Sequence, residues 1–328
     1  MNSPKKLFCC ALIVVCLCGL SAVAEAQQFR QWITVNARSP RVGTQVKIER
    51  ITPAMGKQIK AAGFDFVRFG VWVNAMQDAS YQARVANAFA AAQEAGLPVL
   101  LTVRSTVPLV LPELSQLDRD EQLREAAKQL ARVVVTLGNT YGHNVLAIEL
   151  WNEPELPTYW PTGDLDSTFP IYMQAVCSQL KSVHALIPII GFGFATAPAL
   201  GSKSDRLLRS LSSSPAQCMN AVSYHAYGMS EQQIQDASAY IRSQYGLPAL
   251  ITEWGISSGG RAGIFGQATG IKSFLMGRGS LKTPLISIYE WQDTENAKNA
   301  REQNFGLVDA TGVKKPALDA TLDVIRKR

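Results

Sequence analysis

The sequence predicts an α/β fold, a single (β/α)8 TIM barrel that follows a cleaved signal peptide. Three observations predict it. The chain has 328 residues, of which 47% are hydrophobic, so it can bury one large core. Beyond residue 30, short β-rich apolar runs alternate with longer stretches of helical period. Most of the short runs are almost continuously apolar, as expected for parallel strands that are covered on both faces.

Residues 1–26 have the pattern of a secretory signal peptide. The apolar stretch Leu7–Leu20 follows Lys5 and Lys6 and leads into the small residues around Ala22–Ala26. This stretch is shorter than the roughly 20 apolar residues that span a bilayer. We therefore expect an exported protein, periplasmic or secreted, without a stable membrane anchor. Residues 27–328 are then a single barrel domain, which we expect to be a monomer.

Eight apolar runs are predicted as the strands of the barrel, whose usual size is about 250 residues. A doubly wound open sheet is the alternative, but it commonly has fewer strands, and its dinucleotide-binding form needs a Gly-rich turn after the first one. The predicted strands are Trp32–Asn36, Phe64–Gly70, Pro98–Arg104, Val145–Trp151, Pro188–Phe194, Asn220–His225, Pro248–Glu253 and Pro284–Tyr289.

Helix boundaries between these strands are marked by capping residues. Thr52 precedes a proline at the first helical position, and Ser230 with Gln233 forms a capping box. Three glycines stand where helices end and strands follow: Gly63, Gly96 and Gly246. The helix after Asp118 has apolar residues spaced three and four apart, on one face: Leu123, Ala127, Leu130, Val134 and Leu137.

Polar residues interrupt the apolar pattern at the carboxyl ends of the predicted strands. In a barrel these ends form one face, which carries the active site of characterised barrel enzymes. Such residues are Arg68, Arg104, Asn152, Glu153, His225, Tyr227, Glu253 and Glu290–Gln292.

Two of these residues are glutamates: Glu153 lies just beyond the fourth predicted strand, and Glu253 ends the seventh. A carboxylate there costs desolvation free energy unless it is paired or catalytic. Glycoside hydrolysis uses such a pair, one acid that protonates the leaving oxygen and one carboxylate that attacks the anomeric carbon. The alternative is a structural ion pair with Arg68 or Arg104.

Several motifs in the same order carry a family resemblance over about residues 30 to 325. The chain resembles clan A of the glycoside hydrolases, the cellulase-like retaining barrels with catalytic glutamates on strands four and seven. The matching segments are Phe66–Arg68, Trp151–Pro154, Ser223–Gly228, Thr252–Gly255 and Tyr289–Trp291, followed by Phe305–Asp309 and Lys315–Ala317.

The resemblance implies that Glu153 is the acid/base, that Glu253 is the nucleophile and that Asn152 holds the sugar 2-hydroxyl. It also implies that Trp291 forms the floor under the reacting sugar, since aromatic faces suit the apolar faces of pyranose rings. The substrate class is a β-linked polysaccharide or oligosaccharide.

Further side chains are expected around the two glutamates. Arg68 is suited to keep Glu253 charged, Tyr227 to donate a hydrogen bond to the same carboxylate, and His225 to line the same wall. His225 and Tyr227 are alternatively a buried core pair. Four aromatic residues near strand ends either extend a sugar platform or pack in the core: Trp72, Tyr159, Trp160 and Trp254.

Arg104 stands where many members of the clan carry a histidine, at the end of the third predicted strand. It either contacts an acidic sugar or pairs with a nearby acid. Glu149 shares strand parity with Glu153, and we interpret it as structural.

Other classes of function are disfavoured. The net charge of +6 is modest and no Lys/Arg run marks a nucleic-acid-binding arm. No metal-binding motif appears, and we expect no cofactor. A noncatalytic glycan-binding or polysaccharide-assembly protein on the same barrel remains the alternative function. Cys177 and Cys218 either form a disulfide or remain separate thiols.

Overall fold

The computed structural model describes residues 27–34, 39–111, 113–183, 187–211 and 218–327. The predicted signal peptide, residues 1–26, lies outside these ranges, and so does part of the predicted first strand, residues 35–36. Within the described ranges, no helix has the length and apolarity needed to cross a membrane.

Eight parallel strands form a closed barrel in chain order, and β8 pairs back to β1, which confirms the predicted barrel. Each strand is followed by a segment that returns the chain to the amino-terminal end, so all carboxyl ends lie on one face. The strands are β1 Arg41–Gln45, β2 Phe66–Trp72, β3 Val99–Arg104, β4 Val145–Leu150, β5 Ile189–Phe194, β6 Ala221–His225, β7 Ala249–Trp254 and β8 Leu285–Ile288.

The helices pack around the barrel with their apolar faces inward. The main helices are α1 Pro53–Ala61, α2 Ala79–Glu94, α3 Gln116–Tyr141, α4 Leu165–Ser182, α5 Lys203–Arg209, α6 Glu231–Tyr245, α7 Gly263–Gly277 and α8 Pro316–Ile325. Short helical turns also occur at Val73–Gln77, Arg278–Ser280 and Ala300–Gln303. All five apolar positions predicted for one face of α3 are buried.

The predicted caps are confirmed. The Thr52 hydroxyl accepts from the amide of Met55 at the start of α1. The reciprocal capping box of Ser230 and Gln233 opens α6. Gly246 at the end of α6 has φ 68°, a left-handed conformation that glycine adopts without steric cost.

The predicted first strand, Trp32–Asn36, was wrong. Residues 27–34 are helical, and the first strand is Arg41–Gln45. Phe29, Trp32 and Ile33 have the spacing of one helical face, a signal that the short apolar run concealed. Phe29 is fully buried among residues at the amino-terminal ends of the strands, including Phe66, so this helix closes the end of the barrel opposite the carboxyl-end face.

A disulfide joins Cys177 in α4 to Cys218, which precedes β6. The two Cα atoms lie 5.1 Å apart, within the range that a disulfide requires. The bond therefore connects α4, which follows β4, to the segment that leads into β6.

Candidate active site

Glu153 and Glu253 lie together at the carboxyl-end face of the barrel. Glu253 belongs to β7, and Glu153 stands three residues beyond the last residue of β4. One carboxylate oxygen of each, together with a ring nitrogen of His225, form a group whose members all lie within 4.8 Å of one another. The structure therefore brings the two predicted glutamates into one site.

The chain leaves β4 through an unusual backbone turn. Trp151 and Glu153 have φ values of 75° and 49°, although neither is glycine. Such conformations cost of the order of 1–3 kcal/mol each and persist where surrounding structure enforces them. The amide of Trp151 donates to Val103 O at 2.9 Å and that of Glu153 to Gly193 O at 2.8 Å. Neighbouring strands therefore fix the direction in which Glu153 projects.

One buried guanidinium organises the floor of the site. Arg68, only 1% exposed, donates from Nη1 to Glu253 Oε1 at 2.5 Å and to Gln45 Oε1 at 2.8 Å. Its Nε and Nη2 donate to Glu149 Oε2 at 3.0 and 2.6 Å, and Nη2 also donates to Asn152 Oδ1 at 3.0 Å. Because the amide oxygen of Asn152 accepts from Arg68, the amide nitrogen is left to donate elsewhere.

Glu149 is the counter-charge that allows Arg68 to be buried. It is fully buried and also accepts from Thr102 Oγ1 at 2.8 Å. Burial alone raises the pKa of a carboxyl group, but the charge of Arg68 lowers the pKa of Glu149 below its ordinary value. The result agrees with its interpretation as a structural residue.

His225 and Tyr227, at the end of β6, contact the two glutamates. His225 Nδ1 lies 2.8 Å from Glu153 Oε1 and 3.5 Å from Glu253 Oε2. Burial alone would lower the pKa of His225, but the charges of Glu253 and Glu153 raise it above its ordinary value. The Tyr227 hydroxyl donates to Glu253 Oε2 at 3.0 Å. Glu253 therefore has a donor on each carboxylate oxygen.

Two carboxylates and a histidine at this separation also resemble a metal-binding set. The hydrogen bonds identify a different arrangement. Arg68 and Tyr227 occupy one lone pair on each oxygen of Glu253, and the buried guanidinium already supplies the positive charge. The donor set fits a pair of catalytic carboxylates better than a cation site.

A cavity of about 260 Å³ opens beside Glu253 and Asn152. Its walls are the ends of β1 to β4 and the residue after β8. Lining residues include Gln45, Lys47, Glu49, Arg68, Gly70, Trp72, Thr102, Arg104, Tyr159 and Tyr289. The predicted residues Arg68, Asn152 and Trp72 thus face one cavity together with Glu253.

A second cavity, of about 610 Å³, lies on the other side of His225 and Tyr227. It is lined mainly by the segment after β5 and by α6, including Ala197, Met229 and Tyr240. His225 and Tyr227 line this second cavity and contact Glu253, which lines the first one.

Three tryptophans that the sequence offers as sugar-binding residues lie in the core: Trp160 and Trp254, for which core packing was the alternative, and Trp291. Trp254 stacks on Phe274 of α7, with ring centroids 3.6 Å apart. Successive side chains of a strand point to opposite faces, so Trp254 must point outward because Glu253 points inward. Trp160 is buried against Trp151 and donates from Nε1 to Thr168.

Trp291 is the third tryptophan that lies in the core. It is 2% exposed and packs edge-on against Phe64. Trp291 lies beyond the end of β8, where its backbone pairs with Gln45 and Leu307, so the alternation of the strand does not direct its side chain. Tyr289 lines the cavity in its place.

Sequence reasoning missed Gln45, Lys47 and Tyr289. Gln45 is a polar residue at the carboxyl end of β1, but this strand contains Arg41, Thr44 and only one apolar side chain, Val42, so no apolar run marked it in the sequence. Tyr289 belongs to the matching segment Tyr289–Trp291, in which the family resemblance implies that Trp291 forms the sugar platform.

The fold and the site define a barrel of the glycoside hydrolase class. The family model for cellulase (glycosyl hydrolase family 5) matches residues 24–271. The chain belongs to this family, which confirms the resemblance to clan A.

Three solved structures share the fold and are distant in sequence. A family 39 glycoside hydrolase from the gut symbiont Bacteroides cellulosilyticus WH2 is 19% identical, with a TM-score of 0.66 over 89% of this chain and 64% of that chain. The exo-beta-1,4-mannosidase Op5Man5 from Opitutaceae bacterium strain TAV5 is 18% identical, with a TM-score of 0.67 over 88% of this chain and 59% of that chain.

A glucosidase from Croceicoccus marinus is 14% identical, with a TM-score of 0.67 over 90% of this chain and 68% of that chain. The chain thus spans less than two thirds of the length of the first two proteins. Among curated proteins, none matches the sequence. These similarities show the barrel fold.

Proposed function

We propose that the protein is an exported retaining β-glycosidase that cleaves β-linked polysaccharide or oligosaccharide by double displacement. Glu153 is the acid/base and Glu253 the nucleophile. The observation that carries the proposal is the short separation of their oxygens, within 4.8 Å. Retaining enzymes hold the two carboxyl groups about 5–5.5 Å apart, whereas inverting enzymes leave about 6.5–9.5 Å for a water molecule.

The contacts of the two carboxylates differ in a way that supports these roles. Glu253 accepts from the Arg68 guanidinium and from the Tyr227 hydroxyl, and these two donors hold its carboxylate in position to attack carbon. Glu153 contacts neither donor. It faces His225 and is partly exposed, so it is able to carry a proton to a leaving oxygen.

In the first step, Glu153 gives its proton to the glycosidic oxygen while a Glu253 oxygen attacks the anomeric carbon. The C–O bond to the leaving group breaks as the bond to Glu253 forms. Glu153, now ionised, accepts a hydrogen bond from His225 Nδ1. In the second step Glu153 takes a proton from water, the water oxygen attacks the same carbon, and Glu253 is released as a carboxylate.

The two cavities suggest how the substrate lies. Glu253 and Asn152 line the smaller cavity, so the sugar under attack belongs there, with the Asn152 amide nitrogen directed to its 2-hydroxyl. Glu153 contacts His225, which lines the larger cavity, so the leaving group extends toward that side.

Export to the periplasm or the medium is part of the proposal. The residue pattern of positions 1–26 supports it, and so does the Cys177–Cys218 disulfide, because such bonds persist in oxidising compartments. We also propose a monomer that acts on carbohydrate. A noncatalytic glycan-binding protein is less favoured because Arg68, Tyr227 and His225 all act on the carboxylates themselves.

The test is hydrolysis of β-linked glucans, mannans, xylans and aryl glycosides by wild type, Glu153→Gln and Glu253→Gln. We expect both variants to lose at least 10²-fold in kcat/KM on any substrate that wild type cleaves. Glu125→Gln, an exposed glutamate on α3, is the matched control. NMR of the first product should show the β-anomer.

A first-formed α-anomer would overturn the retaining mechanism. If wild type cleaves nothing but binds a glycan as tightly as both variants do, the protein is a binding protein rather than an enzyme.

A further inference from the structure

Arg104 is a buried cation that faces the smaller cavity. It is 9% exposed and lies at the end of β3, which pairs with β4, the strand that leads to Glu153. Among the described residues, no carboxylate oxygen lies within ion-pair distance of its guanidinium. Its Nη1 donates to the Ser105 carbonyl oxygen at 3.0 Å, and its buried Nε has no hydrogen-bond partner in the described part of the chain.

The other cations of this cavity differ because they are already paired. Arg68 is bound to Glu149 and Glu253. Lys47 donates to Thr294 and lies 3.7 Å from Glu290. Removing an unpaired charge from water is costly, so the position of Arg104 calls for a ligand that supplies the opposite charge.

Two aromatic rings hold the guanidinium in place. Its central carbon lies 4.8 Å from the ring centre of Trp72 and 5.0 Å from that of Tyr159. Trp72 is also the register partner of Arg104 on the neighbouring strand. A guanidinium stacked on aromatic faces presents its N–H donors along its edge, and that edge matches a planar carboxylate.

The charges around Arg104 permit an anion. Glu49 lies at the exposed rim of the cavity and Glu253 at its floor, where Glu253 is paired with Arg68. The charge of Glu153 also acts on Arg104, but no oxygen of Glu153 lies within ion-pair distance of the guanidinium, whose buried Nε stays without a partner among the described residues. The chain as a whole carries a formal charge of +6, which favours the approach of an acidic polymer.

We propose that Arg104 binds a carboxylate carried by the sugar chain, so that the substrate is an acidic β-glycan with its charged residue beside the sugar under attack. This inference rests on the proposed glycosidase function and names its substrate class. The carboxylate belongs to a uronic acid residue or to a pyruvate ketal, which share the same chemistry.

The experiment compares each acidic polymer with its own neutral form. Glucuronoxylan, gellan and xanthan are tested before and after reduction of their carboxyl groups, and xanthan also after mild-acid removal of pyruvate. We expect wild type to prefer at least one acidic form by tenfold or more in kcat/KM. Loss of rate after pyruvate removal alone identifies the ketal as the source, and loss only after reduction identifies the uronic acid.

Arg104→Gln should lower the acidic-to-neutral ratio at least tenfold, and Trp72→Leu should lower it in the same direction by loosening the guanidinium. Arg132→Gln, an exposed arginine on α3, is the matched control for the loss of one charge. Circular dichroism and thermal unfolding verify that each variant is folded. An unchanged ratio in Arg104→Gln, or no preference in wild type, overturns the proposal.

Binding separates this inference from the proposed activity. Calorimetric titration of Glu253→Gln with oligosaccharides from the acidic and reduced polymers needs no catalysis. Preferential binding of acidic oligosaccharides that disappears when Arg104→Gln is added supports the inference even if no hydrolysis occurs. Hydrolysis of neutral glycans without a preference for acidic ones leaves the proposed enzyme function intact but refutes the acidic substrate. Absence of binding to both the acidic and the reduced oligosaccharides also refutes the acidic substrate.

Discussion

Arg68 on β2 and Glu253 on β7 form an ion pair of 2.5 Å across the barrel interior. The two strands are not neighbours in the barrel, so this contact depends on closure of the sheet. Because the same guanidinium also binds Glu149 on β4, one side chain fixes the positions of acids from two further strands. The position of the Glu253 carboxylate and the packing of the barrel interior are thereby linked.

Removal of Arg68 should therefore weaken the fold as well as the activity. In Arg68→Met, the buried Glu149 loses its counter-charge, and breaking a buried pair in this way typically costs about 3–5 kcal/mol of unfolding free energy. Urea denaturation measures the loss, with the exposed Arg84→Met as control. Adding Glu149→Gln should restore part of the stability. A loss below about 1 kcal/mol would contradict this account of the network.

Glu290 should make stability depend on pH. Burial raises its pKa from 4.5 to about 7, so between these values the folded state holds a proton that the unfolded state releases. Its contribution to stability is therefore lost as pH rises from about 4.5 to about 7.

Glu290→Gln removes this titration, and its stability relative to wild type should rise by about 3 kcal/mol over that pH range. Denaturation midpoints at pH 4.5, 6 and 8 measure the difference. The exposed Glu121→Gln should show no such gain. A difference that does not grow with pH would show that Glu290 does not titrate there.

Tyr289 and Trp291 should respond differently to alanine substitution. Tyr289 lines the cavity, so Tyr289→Ala should raise KM about fivefold or more through loss of a sugar contact. Trp291 lies in the core against Phe64, so Trp291→Ala should lower the unfolding free energy by about 3–5 kcal/mol. Steady-state kinetics and denaturation on both variants separate the effects. The reverse pattern would place Trp291 under the sugar after all.

The Cys177–Cys218 disulfide should stabilise the fold without acting on the site. It joins residues 41 positions apart, and a loop of that size is worth about 4 kcal/mol in the chain-entropy description. We expect the Cys177→Ser/Cys218→Ser variant to lose about 2–4 kcal/mol in guanidinium unfolding while keeping wild-type kcat. Dithiothreitol should produce the same loss in wild type and none in the variant.

Local patterns in the sequence predicted most of the barrel. Helix caps such as Ser230 with Gln233 form between residues a few positions apart, and continuous apolar runs are typical of strands that are buried on both faces. Both features can therefore be predicted from the sequence alone. The exception was the segment before β1, where three apolar residues fit a helix face as well as a short strand. Glu153 and Glu253 were predicted as a cooperating pair because a carboxylate at or just beyond the end of an apolar strand costs desolvation free energy unless it is paired or catalytic. The structure places the two side chains together.

The sequence by itself determined the barrel fold, its family and the choice of Glu153 and Glu253 as a candidate pair. Apolar strand runs, helix caps and polar residues at strand ends are all local features of the sequence, which is why they could be recognised there. Only the tertiary structure decided which aromatic residues reach the cavity. Trp72, Tyr159 and Tyr289 line it, whereas Trp160, Trp254 and Trp291 are buried elsewhere. Only the tertiary structure also shows that the Arg104 guanidinium has no ion-pair partner among the described residues, because its neighbours come from strands that are distant in the sequence.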